Sequence, residues 1–432
     1  MLPTVTPMPA TVSGIGGFLG AGPQALRDPT GFLVRQRARH GDTFVVDAFG
    51  RRLFLVFSPR AVARLYAVAE EEASFGLATY RMISHKAPDE LFDGRRVTPH
   101  QLFGSQNVEG YLAELDGAMD AELELLGSDG TFEVFAEMRR LAHRMGLASW
   151  AGEAADPQHL DRLMPLFDRL DMAESFVHPT QMIRTWATRK RSERAAMIGI
   201  ESIIGEVLDQ RRRDDRWPAD WLTHIWEAFA DLDLEQRRIQ VARDIIVIHL
   251  GSLSNLYAAM AWSLIDLLGH PDALVAARAG DDTLIEIAAS ESIRMAQRSI
   301  TLREVLRPIE VDDGTTTYRL EPGVMLATML GVTNSTAARD LSRWDPAHYV
   351  GRKLAPGVDV ATRELVSTFG HGSHTCPAAR FSISSIRIAV RRLIDTYDLD
   401  PNFVDLTPLR GQLGGVARAS RPAVVTYRRR GH

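Results

Sequence analysis

Residues 369–376 read Phe369-Gly370-His371-Gly372-Ser373-His374-Thr375-Cys376, and the last of them is the single cysteine of the chain. One thiol excludes an intramolecular disulfide framework. The glycines let the backbone fold closely around whatever the sulfur holds, and the residues that follow have the spacing of a long helix. The free N–H groups and positive dipole end of a helix stabilise a thiolate. The pattern therefore predicts a metal ligand. The competing reading, an inert buried cysteine, is the weaker one because thiolate chemistry rather than packing usually fixes such a context.

Working outward, the 432 residues are 45% apolar and 24% charged with a formal net charge of −5, which suits a globular protein with a sizeable core. That balance argues against a nucleic-acid partner, and Arg428-Arg429-Arg430 reads as a solvated tail. The lone cysteine points to a reducing compartment. Met1 to Gly22 lacks a charged region followed by an apolar run, and no uninterrupted apolar run reaches the roughly 18–20 residues of a bilayer span. The expectation is a cytoplasmic protein with no membrane span.

Thr43 to Phe57 alternates around Gly50-Arg51 and predicts a β-hairpin. Ser58-Pro59 supplies a cap and first-turn proline for a helix through Leu65. Strands are then expected to stop for a long way. Helical spacing predicts helices over Tyr111 to Leu126, Phe132 to Trp150, His159 to Val177, Thr180 to Arg213 and Leu234 to Leu268, with a tight turn at His178-Pro179. Gly269-His270-Pro271 stops the longest of them. Short strands are expected at Tyr318 to Leu320, Val324 to Leu330 and Val416 to Tyr427. The composite is mainly α with a smaller β portion.

Phe369, Gly370, Gly372, His374 and Cys376 resemble the haem-ligand loop of the cytochrome P-450 superfamily. The resemblance implies the cytochrome P-450 fold over residues 1–432 as one catalytic domain, with a β-rich N-terminal part at about 40–60, a helical core at about 61–300 and the haem-ligand loop at 369–380. It implies haem b (iron protoporphyrin IX) as cofactor, bound through the Cys376 thiolate. Ala378 stands where the family usually has glycine. Pro377 offers the sulfur no N–H, which predicts a strongly donating thiolate. Glu291 and Arg294, three apart on one helix, match the family's buried pair, and His348 stands where a later arginine completes the network. His374 and Arg303 match positions that hold the haem carboxylates. A third such anchor, from a Trp-x-x-x-Arg pattern, is not found; Arg95, Arg96 and His100 are its nearby candidates. The turn at His178-Pro179 corresponds to the family's lid.

The long helix departs from the family. Where oxygen-activating members carry an acid followed by threonine, this chain has Ser254 and Asn255, behind the small pair Gly251-Ser252. Serine and asparagine orient water but do not readily release a proton at neutral pH. Asn255 with Ala258, Ala259 and Trp262 is similar to the sterol-demethylase and prostacyclin-synthase branch. Leu250, Gly251, Leu253 and Leu256 on this helix, Met295 to Ile300, and Leu413 to Val416 are expected to line an apolar substrate pocket, with His249 and Tyr257 as possible polar contacts.

Three functions follow. The leading one is a soluble, bacterial-type haem-thiolate monooxygenase that inserts one oxygen atom from dioxygen into a small, mostly apolar organic substrate, with electrons from a ferredoxin or flavoprotein reductase. The alternative is a peroxide-dependent or redox-independent enzyme (isomerase, dehydratase or peroxygenase). The third is a haem- or ligand-binding protein without turnover.

Overall fold

The computed structural model describes residues 9–12, 14, 16–97, 102–171 and 184–431, and the expected hairpin sits at the middle of its largest sheet. Strands Thr43–Ala48 and Arg51–Val56 pair antiparallel, Thr43 opposite Val56. Phe49 and Gly50, the two loop residues, both have positive φ, 51° and 72°, the backbone twist that matches flanking strands. Ser58 caps the next helix, Pro59–Ala67, by accepting from the Ala61 N–H.

The chain divides into two compact units. The first comprises Met1–Ile83, Ser290–Cys376 and Thr407–Ser420. Its six-stranded sheet runs in the order Thr11–Val12, Thr43–Ala48, Arg51–Val56, Met325–Met329, Ile300–Val305, Ala73–Ser74. Arg51–Val56 joins Met325–Met329 in parallel, Leu53 opposite Met325, and Ile300–Val305 lies antiparallel beyond it. Side chains alternate across a strand. Phe44 and Val46 therefore meet Phe32, Leu33, Ala327 and Met329 on one face. Val45, Phe54 and Leu326 meet Ala61, Val62, Leu65 and Tyr66 on the other. Both faces are covered, and the sheet carries apolar residues at successive positions.

The second unit comprises Ser84–Ala289, Pro377–Leu406 and Arg421–His432. Its helices include Ser105–Leu126, Val134–Trp150, Pro157–Leu170, Arg191–Arg213, Leu234–Gly269 and Ala379–Thr396. Leu234–Gly269, 36 residues capped by the Asp233 side chain and about 54 Å long, packs most extensively against Val134–Trp150. An 18-residue window of it has a mean hydropathy of 1.4, apolar enough to cross a bilayer by composition although polar residues interrupt it. Two-thirds of that window, 67%, is buried inside the protein, the state of a core helix.

Several expectations need correction. Strands do not stop after the hairpin: Ala73–Ser74 pairs with Ile300–Val305, and Asp129–Glu133, expected to lie in or before a helix, pairs with Val424–Arg429. Asp129-Gly130-Thr131 has little intrinsic strand character and is recruited by its partner. The helix expected over Thr180 to Arg213 breaks at Arg189 and Lys190, both with positive φ, and resumes as Arg191–Arg213. The last strand begins at Val424, not Val416, which makes one isolated bridge to Gln297. Gly414 and Gly415, at positive φ, and Pro422, which has no N–H to pair, keep that stretch irregular. The turn at His178-Pro179 and His100 lie outside the described residues.

Candidate haem-binding site

The loop ending at Cys376 is closed by its own backbone. The Cys376 N–H donates to the Phe369 carbonyl at 2.6 Å, His374 to His371 at 3.0 Å and Thr375 to Gly372 at 3.2 Å. Gly370 has φ +80°, and a Cβ there would lie 2.1 Å from the His374 carbonyl oxygen, so no side chain is accommodated. Gly372, at φ +56°, has its nearest obstacle at 3.6 Å. Its glycine serves the dihedral alone. Cys376 is half-buried, and helix Ala379–Thr396 opens three residues on.

Behind the loop, Glu291, Arg294 and His348 are bonded together. Arg294 Nε and Nη2 reach the Glu291 carboxylate at 2.7 and 2.6 Å, and His348 Nδ1 lies 2.9 Å from Glu291 Oε1. Glu291 also accepts from the Asp345 N–H at 3.0 Å. Arg294 and Glu291 are fully buried, where an ion pair persists only with its remaining hydrogen-bonding capacity met. Arg294 Nη1 meets that demand by donating to the carbonyls of Asn334 and Leu341 at 2.6 and 2.7 Å. Asn334 carries the linkage forward. Its amide accepts from Ser367 N–H at 2.8 Å and donates to Ser367 O at 2.9 Å, and Ser367 Oγ accepts from Gly370 N–H at 2.9 Å. Sequence reasoning missed Asn334 and Ser367. The available signal was a lone asparagine two residues after the largely apolar stretch 325–332.

Beside the loop, Arg303 is completely buried. Its Nη1 donates to Ala73 O at 2.7 Å, and Nη2 to Ser373 Oγ at 3.2 Å and to His374 Nε2. Glu70, 3.7 Å from Arg303 Nη1, is itself held by Ser74 Oγ at 2.6 Å and by the N–H groups of Phe75 and Gly76. Burial pushes the His374 imidazole down to about 4, Arg303 adding to the shift and Glu70 opposing it. Neutral His374 accepts from Arg303 through Nε2, which assigns its proton to Nδ1. Phe75 and Tyr66 flank the ring edge-on at 4.3 and 5.7 Å. Arg303 Nε and His374 Nδ1 are buried donors with no hydrogen-bond partner among the described residues. Two such donors beside a thiol suit an anionic group. Haem, with its iron for the sulfur and its carboxylates for the donors, fits this set.

On the long helix, Val247, Gly251 and Asn255 are exposed and Ile248, Ser252 and Ser254 are partly exposed, while most other positions from 241 to 268 are buried. Leu250 and Leu253, expected to line a pocket, are buried; Leu250 lies about 100° to one side of Gly251 around the helix and Leu253 about 160° from it. His249 is likewise turned inward. Its Nε2 lies 2.9 Å from His143 Nδ1, and His143 Nε2 lies 3.1 Å from Asp168 Oδ1. Tyr257 is buried too, with the Arg139 guanidinium 5.7 Å above its ring. In the first unit, Leu413 packs against the sheet and Val416 is buried. Ile300, expected at the pocket wall, opens the strand Ile300–Val305. Arg96 bonds Gln240 Oε1 at 2.8 Å and Arg95 bonds the Ala228 carbonyl at 2.6 Å. Both are thus engaged within the second unit.

The fold is mainly helical with a smaller β portion, and glycine geometry closes the loop of the sole cysteine. No family model matches the chain. It is similar to the 24-hydroxycholesterol 7-alpha-hydroxylase of Mus musculus, 21% identical over 98% of this chain and 93% of the relative. It is also similar to cytochrome P450 7B1 of Mus musculus, 20% identical over 93% of this chain and 86% of that protein. A third relative is the cytochrome P450 monooxygenase pynD of Aspergillus niger, 22% identical over 62% of this chain and 59% of its own length. These likenesses support the cytochrome P450 superfamily and reach no branch of it. The chain is an enzyme, an oxidoreductase of cytochrome P450 type.

Proposed function

We propose that the chain is a haem-thiolate monooxygenase that inserts one oxygen atom from dioxygen into a small, mostly apolar organic substrate. The observation that carries the reading is the pair of buried, unpartnered donors, Arg303 Nε and His374 Nδ1, beside the loop of the sole cysteine. Cys376 would hold the iron of haem b, and the two donors its carboxylates. When bound, the haem supplies oxygen activation, which electron donation from the thiolate favours. Pro377, with no N–H for the sulfur, strengthens that donation. Two relatives named for hydroxylation, covering 88% and 93% of their own lengths, support an apolar substrate. Electrons would come from a ferredoxin or flavoprotein reductase, and the lone cysteine supports a reducing, cytoplasmic compartment.

A second reading rests on Ser254 and Asn255. Neither releases a proton readily, which supports peroxide-driven or rearrangement chemistry like that of the branch Asn255, Ala258, Ala259 and Trp262 resemble. Product analysis with reductant plus dioxygen, and separately with peroxide, distinguishes the two. Turnover with peroxide alone selects the second reading. Asn255→Thr is expected to raise product per reductant under the first and to leave peroxide turnover unchanged under the second.

A further inference from the structure

We propose that Glu70 is a fixed counter-charge built into the haem-carboxylate site. It cancels the positive charge of Arg303, so that haem carboxylates are held there by hydrogen bonds without a net cation, and the potential of the iron is lowered. The inference rests on the haem-thiolate reading, and every residue it uses lies in the first unit.

The charges around the two unpartnered donors can be followed pair by pair. Arg303 Nη2 donates to His374 Nε2, and a ring nitrogen that accepts a hydrogen bond carries no proton, so His374 adds no charge. Neighbouring cations are already matched: Arg64 lies 3.6 Å from Glu72, and Arg81 2.9 Å from Glu304. Arg303 itself faces Glu70, whose Oε2 lies 3.7 Å from Nη1, an ion-pair separation too long for a hydrogen bond. The donors Arg303 Nε and His374 Nδ1 thus stand beside balanced pairs.

Glu70 is held in this position by its own segment. Oε1 accepts from Ser74 Oγ at 2.6 Å and from the Gly76 N–H at 2.9 Å, and Oε2 accepts from the Phe75 N–H at 3.0 Å. Gly76 leaves room for the carboxylate, since an added Cβ would lie 3.2 Å from Oε1. Burial pushes the Glu70 carboxyl up, but the bonds from Ser74, Phe75 and Gly76, with Arg303, together hold it below the ordinary carboxylate value. It is therefore ionised at neutral pH. The plainer role for these bonds is to cap helix Phe75–Ile83. A cap needs an acceptor, whereas a counter-charge needs the ionised group itself. The Arg303 side chain is 0% exposed and that of Glu70 56%, so water screens part of the carboxylate's field and the effect is a several-fold tuning. Carboxylates bound at these donors keep negative charge that Arg303 does not offset. That charge opposes the transfer of one electron from the reductase to ferric iron, in the same direction as the thiolate that Pro377 leaves strongly donating.

The test uses the full-length, haem-loaded chain as wild type, Glu70→Gln and Glu70→Ala. Three quantities are measured at low salt: the one-electron reduction constant of the iron, the rate of haem transfer to apomyoglobin, and the spectrum of the reduced protein under carbon monoxide. Glutamine keeps an acceptor for the Phe75 and Gly76 N–H groups and removes the charge. For Glu70→Gln the expected result is a reduction constant raised about threefold, or about 28 mV at about 59 mV per tenfold, with haem transfer no faster than in wild type. Glu70→Ala is expected to raise the constant by the same factor and to release haem faster, because the cap is lost with the charge. A constant unchanged or lowered in Glu70→Gln overturns the proposal, and faster haem transfer alongside it assigns Glu70 to capping alone. A folded Glu70→Gln that takes up no haem overturns it as well. If Glu70→Gln does not fold, the constant of Glu70→Ala decides. Haem-loaded wild type without the red-shifted Soret band sinks the haem-thiolate reading, and the proposal with it; the band present with equal constants in wild type and Glu70→Gln sinks the proposal alone.

Discussion

The cysteine loop and the long helix present opposite relations between sequence and site. In the loop, residue identity is dictated by backbone geometry: a Cβ at Gly370 would lie 2.1 Å from a carbonyl oxygen, and Asn334 and Ser367 tie the loop to a buried ion pair. On the helix the backbone sets no comparable demand, and the direction of each side chain separates the exposed Val247, Gly251 and Asn255 from the packed Leu250 and Leu253. The loop is therefore intolerant and readable as a motif. The exposed stripe is tolerant: a Cβ at Gly251 would meet nothing within 4 Å.

That comparison is tested most severely by Glu291→Gln. Removing one member of a buried ion pair leaves Arg294 uncompensated, and unfolding free energy is expected to fall by about 3–5 kcal/mol, measured by denaturant titration. A loss below 1 kcal/mol would mean that the network does not brace the loop.

Gly370→Ala follows, at about 3 kcal/mol, since a disfavoured dihedral is compounded by a backbone clash. Gly372→Ala meets no clash and is expected to lose only about 1 kcal/mol. Equal losses at the two positions would remove the distinction between a glycine needed for space and one needed for its dihedral.

The helix makes its own prediction, on its packed side. Burial holds His249 well below the ordinary imidazole value, with His143 adding to the shift. As pH falls below about 6.5, the unfolded chain binds a proton that folded His249 refuses, so stability is full above that pH and declines below it. The slope contributed is up to about 1.4 kcal/mol per pH unit. In His249→Phe this part of the slope is expected to vanish in denaturant titrations between pH 5 and 7, a window set by the imidazole reference value. A slope identical to wild type would contradict the inward placement.

The parts of the fold that were legible in sequence are those with local causes. The hairpin turn, the Ser58 cap and the stop at Gly269-His270-Pro271 each act within a few residues; the cap and the stop stand where expected, and the turn falls one residue earlier, at Phe49-Gly50 rather than Gly50-Arg51. What escaped has partners distant in the chain. Asp129–Glu133 is a strand because Val424–Arg429 lies beside it. Ile300–Val305 is a strand because Met325–Met329 and Ala73–Ser74 pair with it. At the site, the cysteine loop and its ion pair were readable as residue types at fixed spacing. Asn334 and Ser367 were not, because a hydrogen-bond chain through single polar residues leaves no periodic signature.

The central claim, that the Cys376 sulfur holds haem iron, is tested most directly by the absorption spectrum of the reduced protein under carbon monoxide, recorded for wild type and Cys376→Ser. The account predicts the strongly red-shifted Soret band of thiolate ligation in wild type and its loss in the serine variant. The same red-shifted band in both proteins, or its absence from haem-loaded wild type, would contradict it.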